Sequence, residues 1–120
     1  MRLCCNTSDI FLIIIDTLRA DHLSCYGYGR STSPVLDSLA ASGTLFSNCQ
    51  AQAPWTLPTH ASIWTGLSVE SHLAGIREQV TYGLDSELDN IATILHEEGY
   101  VTLGFVNVIL LNNDFGFANG

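Results

Sequence analysis

The sequence predicts a three-layer α/β/α fold with a mainly parallel sheet, and three observations lead there. A continuous apolar, β-branched run, "IFLIII" (Ile10 to Ile15), has the pattern of a strand covered on both faces. Segments with helical spacing alternate with segments of strand character along the chain. An aspartate, Asp16, closes the first apolar run at the place where open parallel sheets carry their ligands.

Taken in order, Ile10 to Ile15 reads as the first strand, followed by the loop "DTLRADHLSCYGYGR". Ser33-Pro34 opens a helix, since proline suits the first helical turn, and Val35, Leu36, Leu39 and Ala40 fall at helical spacing before Gly43. Thr44 to Gln52 reads as a second, weaker strand. A short helix follows with Pro58 in its first turn, running to about Thr65 and closed by Gly66. Residues 67–84 show no period and contain Gly75 and Gly83, the pattern of a loop. From Asp85, acids in the first turn, apolar Leu88, Ile91, Ile94 and Leu95, and Gly99 past the end predict a helix. Tyr100 to Val108 returns to strand character. The run reaches Gly120 without closing a sheet of ordinary size, so residues 1–120 are expected to be the front part of a larger, incomplete domain.

The 120 residues are 47% apolar, enough for one modest core. Twelve acidic residues stand against four arginines and no lysine, a formal charge of -8, which argues against a nucleic-acid or anionic-lipid partner. An anionic substrate would then need a metal ion beside it. Cys4, Cys5, Cys25 and Cys49 have no zinc-like spacing and read as free thiols. The apolar run before Asp16 is too short to span a membrane and no cleavage site precedes it, which places the expected location in the cytoplasm.

The stretch "APWTLPTHASIWTG" (Ala53 to Gly66) gathers the candidate chemistry. Thr56 lies at a helix start, where unpaired N–H groups favour an anion. Its hydroxyl is a nucleophile only with a metal ion to stabilise the alkoxide, an ion Asp16 could help to hold; alternatively Thr56 or Thr59 caps the helix. His60, four residues on, shares a helix face with Thr56 and either hydrogen-bonds that hydroxyl or a substrate oxygen, or is structural. Asp16 is a divalent-cation ligand or the cap of its own turn. His72 and His22 are weaker candidates, and His96 reads as solvated or paired with its helix end.

The run from Ile10 to Leu67, together with "LDNIATILHEEGYVTLGFV", resembles the N-terminal part of the sulfatase family, in the alkaline phosphatase superfamily. The resemblance implies an alkaline phosphatase-like α/β fold and a metal-dependent hydrolase acting on anionic esters. Sulfatases carry Cys-x-Pro-x-Arg, whose cysteine or serine becomes formylglycine; here the segment is Thr56-Leu57-Pro58-Thr59-His60, ending at Thr65-Gly66. Threonine has no route to that aldehyde. The segment is similar to the Thr-x-Pro-x-His of nucleotide pyrophosphatase/phosphodiesterases, where threonine attacks phosphorus directly. Carried over, this makes Thr56 the nucleophile, His60 a catalytic neighbour, and Asp16 and Thr56 ligands of a divalent ion (Zn, Mn or Ca). Asn107 stands where sulfatases place a lysine near the substrate, and Thr17 replaces the second of two adjacent aspartates. The expected function is hydrolysis or transfer of phosphodiester or sulfate esters through a covalent threonine intermediate. The alternative is an inactive fragment or binding module that keeps the scaffold. Apolar surface left by an incomplete sheet is expected to drive self-association.

Overall fold

The computed structural model describes residues 8–120, which form two compact units, one of residues 9–50 and one made chiefly of residues 51–120. Cys4 and Cys5 lie outside the described residues; Cys25 and Cys49 are free thiols.

In the first unit, 3-10 turns at Ala20–His22 and Ser24–Tyr26 precede helix α1, Pro34–Ser42. Pro34 sits in the first turn, as its fixed φ favours. Ser33, the residue before it, does not cap the helix; its hydroxyl joins a small polar knot instead. The Ser24 and Ser33 hydroxyls donate to the two oxygens of Asp37 at 2.7 and 3.1 Å, and Ser33 Oγ accepts the Ser24 amide at 3.1 Å. The Ser24 bond, ahead of that from Ser33, holds the Asp37 carboxyl below the usual carboxylate range. Val35 and Leu39 on α1 stay largely exposed.

In the second unit, helix α2 spans Thr56–Thr65 and ends at Gly66, whose φ of 72° suits glycine. It buries Leu57, Pro58, Ala61 and Ser62. A single turn, α3 (Val69–His72), leads to a hairpin of β1 (Gly75–Arg77) and β2 (Val80–Tyr82), antiparallel with Arg77 opposite Val80. Glu78 and Gln79 both take positive φ, 48° and 65°, as a tight two-residue hairpin turn requires. Residues 67–84 are thus not a plain loop. The sequence hid the hairpin because its turn is Glu-Gln rather than Asn-Gly, the usual signal for such φ values.

Helix α4 runs Ile91–Glu97, shorter than the helix expected from Asp85. Asn90 sets the boundary: its side chain accepts from the Ala92 and Thr93 amides, and Thr93 Oγ1 accepts from the Asn90 amide, a reciprocal capping box. Residues ahead of it form a turn in which Asp85 accepts the Glu87 amide. At the other end the Gly99 and Tyr100 amides reach back to the His96 and Leu95 carbonyls, a Schellman closure with Gly99 at φ 91°. Two further 3-10 turns, Ile109–Leu111 and Asn113–Phe115, bring the chain back so that the Leu84 amide meets the Phe115 carbonyl at 2.9 Å. Gly116, at φ 81°, passes so close to the Leu84 carbonyl that a Cβ there would collide with it.

The core is small. Ala61, Ala74 and Leu84 pack together with Trp64, Leu88 and Phe117 around them. The parallel sheet expected from the sequence is not formed among the described residues; the hairpin is their sheet. Ile10 to Ile15, Thr44 to Gln52 and Tyr100 to Val108 are in no ladder, and Phe11, Val101 and Phe105 are 83%, 89% and 96% exposed. The reason is physical: an apolar β-branched run is a strand only when a neighbouring strand takes up its N–H and C=O groups. Caps and turns, which need only nearby residues, are formed; the long-range ladder is not.

Candidate active site on helix α2

The backbone enters α2 through Trp55, the N-cap residue, extended at φ -152° and ψ 166° and giving no side-chain cap. Thr56 is therefore the first helical residue rather than the cap. Thr59 is not the cap either, because its hydroxyl donates to the Ala53 carbonyl at 2.8 Å. This removes the simple capping role from both threonines.

Thr56 is half-buried, on a turn whose opening amides point toward any group placed before the helix. His60 bonds Thr56 through the backbone: Nδ1 lies 2.8 Å from the Thr56 carbonyl. A carbonyl only accepts, so Nδ1 carries the proton and, in the neutral ring, Nε2 is the accepting nitrogen. Beside this turn a cleft of about 310 Å3 opens, lined by Trp55 just before α2, Pro58 from α2, Glu70 from α3, and Gly75, Ile76 and Arg77 from β1. The two charges at its rim form no ion pair with each other. Hydrogen bonds from its own amide and from the Ser68 hydroxyl hold Glu70 below the usual carboxylate range, and Arg77 donates to the Leu73 carbonyl.

Asp16, in the other unit, is exposed and accepts the Thr17 amide at 3.0 Å, where Thr17 takes a left-handed φ of 60°. That contact is the local turn cap weighed for it above. Asn107 is exposed, between α4 and the turn at Ile109. His22 is exposed beside the Tyr28 ring, and His96 is exposed on α4. Among the described residues no three His, Cys, Asp or Glu side chains gather as a metal cluster. No described helix is long and apolar enough to cross a membrane.

His72 is the residue whose place the sequence did not reveal. It is 3% exposed, and both ring nitrogens are engaged inside the protein: Nδ1 accepts the Ala74 amide at 3.1 Å, and Nε2 meets Ser62 Oγ at 2.9 Å. Ser62 and His72 lie on either side of the chain reversal at Gly66, so no helical or strand period connects them.

Residues 8–118 match the family model described as Sulfatase. The chain belongs to the sulfatase family. Its membership covers nearly all of the described residues and agrees with placement in the alkaline phosphatase superfamily. Among curated proteins the chain is 32% identical over 114 residues to an arylsulfatase of Clostridium perfringens, covering 92% of this chain and 23% of that one. It is 32% identical over 97 residues to arylsulfatase A of Homo sapiens, covering 78% and 19%. A Delta 4,5-hexuronate-2-O-sulfatase of Bacteroides thetaiotaomicron is 28% identical over 104 residues, covering 79% and 20%. The sulfatase-family chain thus spans about a fifth of the length of these relatives. No solved structure matches it significantly.

Proposed function

We propose that residues 1–120 are the N-terminal part of a sulfatase-like catalytic domain and carry its nucleophile, Thr56, with phosphodiesters as the preferred esters. In the complete domain the sheet would be the three-layer, mainly parallel one read from the sequence. The observation that carries the reading is a threonine in the first turn of α2, in a chain matching the family over residues 8–118; the sequence resemblance is what assigns it to the place of the convertible cysteine. An unmodified hydroxyl performs direct attack and has no aldehyde chemistry open to it.

The proposed step is phosphoryl transfer from the ester to Thr56. Thr56 Oγ forms the new bond to phosphorus as the P–O bond to one ester alcohol breaks; the Thr56 proton passes to a base, for which His60 Nε2 is proposed, and from there to the departing alkoxide, which leaves as the alcohol. Water then releases the phosphoryl group from Thr56. Helix-start amides favour the charge on the transferring oxygens, and Asn107 is proposed to contact substrate.

The family implies a divalent ion, for which Asp16 and Thr56 are the proposed ligands. Two donors fall short of the three protein ligands usual for a catalytic transition metal, and no described cluster supplies the rest. The described residues therefore do not complete such a site. The second reading is a catalytically inactive scaffold or binding module.

The two readings part in one assay. In the complete protein that carries this segment, hydrolysis of an aryl phosphodiester is expected above background and faster than that of the matching aryl sulfate, with added zinc, manganese or calcium; residues 1–120 alone are expected to be inactive. Sulfate release alone would overturn the phosphodiester preference; no turnover of either ester would establish the inactive scaffold.

Self-association is the remaining proposal. The exposed Ile10–Ile15 run, with Ile13 79% exposed, and the exposed residues 101–106 leave much apolar surface in water. Light scattering should show the mean mass rising with concentration, and a monomer across the concentration range would count against it.

A further inference from the structure

We propose that His72 is an acid-sensitive latch on the cleft beside α2: protonation of its Nδ1 expels the Ala74 amide and frees the β1 wall of the cleft from α3. The inference is independent of whether the chain turns over an ester.

Three walls of the cleft meet at this one ring. His72 ends α3, whose Val69 and Glu70 line one side. Through Nε2 it holds Ser62 of α2, the helix that contributes Pro58. Through Nδ1 it holds the Ala74 amide at the start of the segment Ala74–Arg77, which forms the third side. Ser62 and Ala74 are themselves 6% and 1% exposed, so water does not replace either bond while the fold is closed.

The geometry also fixes the protonation state. An amide N–H only donates, so Nδ1 must hold its lone pair; the neutral ring then carries its proton on Nε2 and donates it to Ser62 Oγ. Adding a proton at Nδ1 sets one N–H against another. The Nε2 bond survives that change and the Nδ1 bond does not, so the break falls between His72 and Ala74. The chain is already strained at this point, because Leu73 between them takes a left-handed φ of 60°, a conformation an L side chain adopts reluctantly.

Burial, the largest influence, lowers the readiness of His72 to protonate, and Arg77 on β1 adds to it. The Pro58 carbonyl of α2 and Glu70 of α3 pull the other way. Asp85 and Asp114 line a second cavity, which His72 also borders. The net direction is downward, so the closed form binds its proton only below the range of an exposed histidine. For such a group the closed state keeps its full stability above about pH 6.5 and loses it as pH falls from there toward the closed-state value.

The test is NMR on the wild-type chain between pH 7.5 and 5, following the His72 ring carbon and the exchange of the Ala74 amide, corrected for the intrinsic rate. His72 should titrate below about 6.5, and Ala74 protection should fall by about tenfold per pH unit in that window. Acrylamide quenching of tryptophan should rise over the same range. In His72→Gln, which cannot titrate, Ala74 exchange should lose this pH dependence. An unchanged Ala74 protection while His72 titrates would overturn the latch, as would the same acid loss in His72→Gln. If that variant fails to fold, the wild-type Ala74 and His72 curves decide alone.

Discussion

In the complete protein, replacing Thr56 by alanine is expected to abolish ester turnover, by roughly a thousandfold or more, with little effect on stability. The loss is of the size seen when a covalent nucleophile is removed and only binding and charge stabilisation remain. The small stability effect follows from the position: Trp55, not Thr56, is the N-cap residue, so alanine removes no cap and is itself a good helix former. Thr56→Ser should keep part of the activity, since it retains the attacking oxygen. Thr56→Asp places a fixed negative charge where an anionic ester must approach and should be inactive. Steady-state kinetics on the aryl phosphodiester, paired with thermal melts followed by circular dichroism, separates the two effects. Full phosphodiesterase activity in Thr56→Asp would remove Thr56 from the nucleophile role.

The largest stability effect among polar residues is expected at Asn90. It is 1% exposed, its Oδ1 takes two amides of the first turn of α4, and its Nδ2 donates to the Asn119 carbonyl. Alanine forfeits the cap, about 1 kcal/mol, and leaves buried donors without partners, which together should reach about 2 kcal/mol. For a chain of this size that corresponds to a Tm lower by roughly 10 °C. Asn90→Asp preserves the two accepted bonds and gives up only the donation to Asn119, so it should melt nearer to wild type. Equal melting of the alanine variant and the wild type would show that the capping box contributes nothing to α4.

The helices were legible in the sequence because their signals are local. Pro34, Gly43, Gly66 and Gly99 mark ends that a few neighbouring residues decide, and the structure places helix ends at them or within two residues. The start of α4 was misjudged because Asp85 and its acidic neighbours offer a helix-like first turn, while Asn90 and Thr93 offer a reciprocal cap that wins. The hairpin was illegible because Glu78 and Gln79 are poor turn residues in isolation. Ile10 to Ile15 is apolar and β-branched, the pattern of a strand, yet it forms no ladder among the described residues, because a run of that kind fixes only what it requires of its surroundings.

The spacing of Thr56 and His60 predicts that they are neighbours on one helix face, and the structure joins them through the Thr56 carbonyl. The sequence left a cap and a nucleophile as rival roles for Thr56; the position of Trp55 removes the first. The pairing of His72 with Ser62 was beyond any pattern, because it depends on how the chain reverses at Gly66.

The meeting of Leu84 with Phe115, wedged by Gly116, has a consequence for the order of folding. It closes a loop of roughly 30 residues, which costs about 3 kcal/mol of chain freedom before its one backbone bond and the packing of Phe117 begin to compensate. Helix α4 lies inside that loop and needs only near neighbours to form. The clasp is therefore late to close on the way to the native state and early to open on the way back. Slow hydrogen exchange would begin at α2 and spread outward, with the last residues of the chain exchanging first.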